Sequence, residues 1–138
     1  MKKIILALIV LVVGVLAGCG SQGTTLKNED AEAVLAYSEA KTDNLLAGMN
    51  AGDYAVFSQD FDPEMLSAMT EAEFNKLKAD RDAKLGLYLS REVESVVQIG
   101  DFYAVNYNAK FEKDDAVGVR VVFHAAGPHE VSGLWFSK

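Results

Sequence analysis

One cysteine, two histidines, two prolines, and thirteen basic residues against twenty acids are all that this 138-residue chain offers of the groups on which recognisable chemistry is usually built. A single cysteine excludes an intrachain disulfide and a thiolate metal cluster, so any core must hold by packing alone. The histidines, His124 and His129, are too few for a multi-histidine metal centre, and both read as surface residues. A formal charge of −7 argues against a nucleic-acid partner and against a peripheral grip on anionic headgroups, because both draw on lysine and arginine. No serine sits in a nucleophile elbow, and no glycine-rich phosphate loop follows a strand. Asp60, Asp62 and Glu64 alternate as in a calcium loop but lack its spacing, glycine and final glutamate. Asp62 before Pro63 is read as a helix cap instead. No cofactor is expected.

What is present begins with a long apolar run. Met1-Lys2-Lys3 is a short cationic start, and Ile4 to Ala17 is a stretch of 14 residues without a charge. A membrane-spanning helix needs about 17 to 25 such residues, whereas a signal-peptide core uses roughly 7 to 15. The alternative, a short uncleaved membrane helix with an incidental thiol, fits that length poorly. Leu16-Ala17-Gly18-Cys19 resembles the lipobox of bacterial lipoproteins. The resemblance implies cleavage before Cys19, a diacylglyceryl group on its sulfur with further acylation such as palmitate, and an extracytoplasmic position on the cell membrane. More than one acyl chain makes such an anchor stable. Loss of Lys2 and Lys3 with residues 1–18 takes the charge from −7 to −9 and leaves 120 residues, enough for one domain. Residues 19–27, with Gly20 to Thr25 small and polar, read as a flexible tether.

Residues 28–138 divide into helices and then strands. Asn28 is expected to cap a helix through Met49 that ends by Gly52, with Glu29 and Asp30 in its first turn. Asp62-Pro63 starts a second helix, and Thr70 with Glu73 forms a capping box for a third that stops at Gly86. From Leu87 the period changes to alternation. Tyr103, Val105, Tyr107, Ala109 and Phe111 share one face with Val117, Val119, Val121 and Phe123; Asn108, Lys110, Arg120 and His124 take the other. Short turns at Gly100-Asp101, Lys113 to Asp115 and Gly127-Pro128 make a four-strand antiparallel meander, with helices packed on one face of a curved sheet. Gly118 and Gly133 suggest bends within strands.

The element order, with Gly52-Asp53-Tyr54, Phe57, Phe61, Met65, Gly86 and Gly133-Leu134, resembles small secreted domains of unknown function in the nuclear transport factor 2-like superfamily. The resemblance implies an α+β, cystatin-like cone around one cavity, and it does not choose among enzymes, binding modules and oligomerisation domains. Within such a cavity the candidate ligand-binding residues are Tyr54, Phe57, Phe61, Tyr103, Tyr107 and Trp135, and the expected ligand is a small apolar molecule or a peptide. A homodimerising interaction protein is the alternative, through an outer stripe of Phe102, Ala104, Val122 and Phe136. An acid-base enzyme of isomerase type is the third, with only Asp53 or Asp60 able to supply the carboxylate; no catalytic residue is assigned.

Overall fold

The computed structural model describes residues 23–138; the expected leader, residues 1–18, and Cys19 lie outside the described residues. Strand β1 (Thr24–Thr25) is followed by α1 (Asn28–Ala51), α2 (Tyr54–Ser58), α3 (Pro63–Ala68), α4 (Glu71–Lys84) and four long strands. These are β2 (Tyr88–Ile99), β3 (Phe102–Phe111), β4 (Asp114–His124) and β5 (Val131–Ser137). The architecture is α+β, with helices and an open five-stranded antiparallel sheet in the order β1-β2-β3-β4-β5. The fifth strand corrects the expected four. Thr24 and Thr25 pair with Gln98 and Val97 inside the segment expected to be tether, because main-chain pairing needs no particular side chain.

Local chemistry accounts for the helix ends. Asp53 caps α2 through Val56 N, Asp62 caps α3 through Met65 N ahead of Pro63, and Thr70 caps α4 through Glu73 N. The first helix differs from expectation. Lys27 is its N-cap and makes no side-chain bond, while Asn28 adopts φ 51°, a left-handed conformation that asparagine tolerates better than most residues. Gly52 (φ 71°) closes α1, its N–H bonding to Met49 O. Gly48 faces the start of the next helix so closely that a Cβ would collide with the backbone of Phe57. That close approach lets α2 pack directly on the end of α1.

The alternation in β3 and β4 places Val105, Tyr107, Ala109, Phe111, Val117, Val119, Val121 and Phe123 in the core, as the sequence predicts. Leu45, Leu46 and Met49 of α1, Phe57 of α2 and Phe74 of α4 cover them. In β5 the count shifts. Val122 pairs with Gly133 and Phe123 with Val131, leaving Ser132 as the extra residue of a bulge. The bulge reverses the faces beyond it. Leu134 and Phe136 pair with the inward Val121 and Val119 and pack on the core, while Trp135 pairs with the outward Arg120 and is 55% exposed. Trp135 is therefore not an inner-face aromatic, and Phe136 is not part of the outer stripe.

Val121→Ala removes packing atoms at a fully buried position and should cost about 2 kcal/mol, whereas Asn108→Ala on the exposed face should cost about 0.5 kcal/mol or less. Chemical denaturation of the two variants checks the face assignment; equal losses would contradict it.

Candidate functional site

The polar groups that sequence alternation cannot place are gathered where α1 crosses the sheet. Glu39 and Thr42, three residues apart on α1, reach the hydroxyl of Tyr107, which donates to Glu39 Oε1 at 2.6 Å. Having used its one proton there, that hydroxyl accepts from Thr42 Oγ1 at 3.1 Å. Arg91 completes the group. Its Nη2 donates to Glu39 Oε2 at 3.1 Å, and its Nη1 donates to Asp43 Oδ1 at 2.6 Å and to Tyr88 OH at 3.0 Å. Its guanidinium lies 5.0 Å over the Tyr107 ring. Burial works against the Arg91 charge, but hydrogen bonds to Asp43 and Tyr88 and the charge of Glu39 outweigh it, so the proton is held more firmly than usual. Burial first, and then the bond to Glu39, push the Tyr107 phenol well above its ordinary range. Glu39 is thus a carboxylate on the inner face that comes from a helix, where strand patterning does not look for it. Paired with Arg91 and Tyr107, it ties helix to sheet.

A pocket of about 420 Å³ opens at the other end of this seam, between the first half of α1 and the turn after β4. Leu26, Val34, Tyr37, Tyr103 and His129 line it, with Asp30 at its wall. Tyr37 stacks flat on His129, with ring centroids 3.8 Å apart and planes at 5°, and meets Phe123 edge-on at 5.9 Å. His129 sits at φ 53° and donates from Nδ1 to His124 O at 3.0 Å. Lys41 pins the same turn to α1, bonding Pro128 O at 2.9 Å and pairing with Asp60 at 3.4 Å. The Tyr37 hydroxyl and Ser38 Oγ are buried without a hydrogen-bond partner among the described residues. Burial, and then the charge of Tyr103, push the Tyr37 phenol up to about 12, so it keeps its proton and remains a donor.

The six candidate ligand residues do not form one site. Tyr54, Phe57 and Phe61 join Phe74 in an aromatic cluster under the helices, with centroids 4.6 to 6.5 Å apart, and Tyr54 OH donates to Met69 O at 2.7 Å. Tyr107 belongs to the Glu39 group, Tyr103 to the Tyr37 pocket, and Trp135 to the outer face. There Trp135 joins Ile99, Phe102, Arg120 and Val122 around a shallow depression of about 420 Å³. Asp53 is used as a cap, and Asp60 faces Lys41 and Asn44. The histidines are not free surface groups: His124 Nε2 lies 2.8 Å from Asp62 Oδ2, and His129 is stacked on Tyr37. Among the described residues no three histidines, cysteines or acids gather to hold a metal. No described helix is long and apolar enough to cross a membrane.

Fold and site together define an α+β domain of helices followed by an open antiparallel sheet, with a small pocket at one end of the helix–sheet seam. The chain belongs to the family described as protein of unknown function (DUF3887), matched over residues 42–127. No curated protein and no solved structure matches it.

Because the Tyr37 phenol is raised, its share of stability is complete below about pH 10 and is lost as the pH climbs towards about 12. In an alkaline titration followed by phenolate absorbance, Tyr37→Phe should remove one of the five tyrosines from the part that appears only as the domain unfolds. Loss from the early part instead would put that hydroxyl in water.

Proposed function

We propose that the chain is a lipid-anchored, extracytoplasmic binding module with a nuclear transport factor 2-like fold, and that it holds a small apolar ligand in the Tyr37 pocket. The observation that carries the reading is the Tyr37 hydroxyl, a buried donor without a partner among the described residues, in the wall of an opening of mixed polar and apolar lining. A neutral ligand bearing one acceptor, such as a carbonyl, satisfies that donor; an anion is disfavoured by Asp30 and by the net charge of −7. Strand β1 supports the anchoring half of the proposal. With Thr24 already in the sheet, only residues 20–23 separate Cys19 from the folded domain, a reach of about 14 Å. Leu26, two residues past that pairing at Thr24, lines the pocket, so the pocket opens close to the bilayer from which an apolar ligand is drawn.

A second reading, a homodimerising envelope interaction protein, is favoured by one observation. Ile99, Phe102, Val122 and Trp135 form an outward stripe that no described element covers. An acid-base enzyme has less support, since Glu39, the acid nearest the inner tyrosines, is already engaged by Arg91 and Tyr107.

Cys19→Ala should end incorporation of labelled fatty acid and leave a precursor or a soluble form; label persisting in the variant would refute the anchor. Native mass spectrometry of the chain extracted from membranes should show a monomer carrying an adduct of constant mass beyond its covalent lipid. Tyr37→Phe should weaken retention of that adduct while the melting transition survives. A dimer without adduct, lost on Val122→Glu, would favour the second reading.

A further inference from the structure

Among the described residues the sheet leaves two stretches of edge without a paired strand, the outer side of β2 from Tyr88 to Ser95 and that of β5 beyond Val131. β5 pairs with β4 on one side; on the other, only Val131 is covered, its N–H bonding to Asp60 O at 2.7 Å and its carbonyl accepting from Asp62 N at 2.9 Å. Among the described residues no strand lies beside Gly133 to Ser137. Proteins usually blunt such an edge with charge, proline or a bulge. Here the bulge at Ser132 comes before the exposed stretch, and Leu134-Trp135-Phe136 follows in regular, apolar register. A groove of about 440 Å³ runs beside that stretch under α4, with Leu77, Leu85, Leu134 and Phe136 in its wall and Lys84, Lys138 and the one acid Asp80 among its polar lining.

We propose that this edge and groove bind an extended peptide segment of another protein as a sixth strand. On the free side of an edge strand every second residue presents its N–H and C=O, a pair about every 6.6 Å at a rise of about 3.3 Å per residue, which another backbone in extended form matches, and about five residues cover Gly133 to Ser137. Alternate side chains of that strand enter the groove, and those between them lie beside Trp135 on the outer face. The segment is therefore apolar on both faces and carries a carboxylate near one end, facing Lys84 and Lys138. Lys84 pairs with the exposed Asp80 and Lys138, itself exposed, with the half-buried Asp114, and surface pairs of this kind exchange at little cost. A second copy of this chain fits less well. Its own β5 turns Leu134 and Phe136 into its own core, so it brings no side chains to fill the groove. The proposal is independent of the anchor and of the Tyr37 pocket, which lies at the opposite end of β4.

The test presents the full chain, held in detergent micelles, to a displayed library of linear peptides of about twelve residues. Enriched peptides should carry a run of consecutive apolar residues with an acid near one end and should slow amide exchange within Gly133 to Ser137. N-methylation of one alternate set of peptide amides should abolish binding, and methylation of the other set should leave it. Lys84→Glu, a change at a side chain 66% exposed, should weaken acidic peptides about tenfold. No enrichment, protection centred on the Tyr37 pocket, equal loss from both methylation sets, or self-association through β5 in place of peptide binding would each overturn the proposal.

Discussion

A phenol placed at the centre of a covered sheet face has to find a hydrogen-bond partner, because leaving it bare costs about 1 to 3 kcal/mol. Tyr107 is fully buried in that position, and its partners come from one helix. Meeting Glu39 and Thr42 fixes where α1 crosses β3, and Arg91, holding Glu39 and Asp43 from β2, fixes the direction in which it runs. The rest of the helix follows from that alignment. One end of α1 sets Tyr37 beside the turn after β4, and the other brings Asn50 to the start of β2. There Asn50 Nδ2 donates to Tyr88 O at 2.8 Å while its Oδ1 accepts from Tyr88 N and from the buried Arg81. Arg81 belongs to α4, so the same line of polar contacts positions the helix that borders β5. A ladder of this kind contributes modest net stability, since each bond replaces one to water, but it penalises any shift of α1 along the sheet.

How legible this was in the sequence depended on whether the signal was periodic. The alternation in β3 and β4 is uninterrupted where it faces the core and could be read directly, as could the caps at Asp62-Pro63 and Thr70. β2 and β5 carry bulges, and a bulge inverts every side chain beyond it. In β5 one extra residue, Ser132, turned Trp135 outward and Phe136 inward. In β2 the extra residues at Leu89 and Glu94 hid the fact that Arg91 faces inward. Glycine in a strand signalled a bend in β5 but could not say which residue would be supernumerary. β1 was illegible for a different reason: two threonines in a polar stretch form a strand only because the edge of β2 is there to receive them.

The site was harder to read than the fold because its groups come from different elements. Glu39 and Tyr37 lie beside the apolar stripe of α1, where a helical wheel assigns them to solvent. What pulls them in is Tyr107 in one case and His129 in the other, partners 68 and 92 positions along the chain. The histidines invert the same lesson: His124 looks exposed by alternation, yet it stands at the strand's end, where the cap of α3 comes within 2.8 Å.

These constraints hold apart, across the sheet, the two features for which ligands are proposed. The Tyr37 pocket lies at the β1 side, by the turn after β4; the open edge of β5 lies at the far side, by the turn before β4. Five strands at about 4.8 Å spacing separate the two edges by about 19 Å. A lipid on Cys19 would hold the β1 edge towards the membrane through four residues, and in doing so would turn the β5 edge away from it. A chain anchored in that way presents its pocket to the bilayer and its free strand to the compartment beyond. The two proposed activities then need no conformational change to coexist, since the element they share, the sheet between them, is the part that Tyr107 and Arg91 hold most firmly against α1.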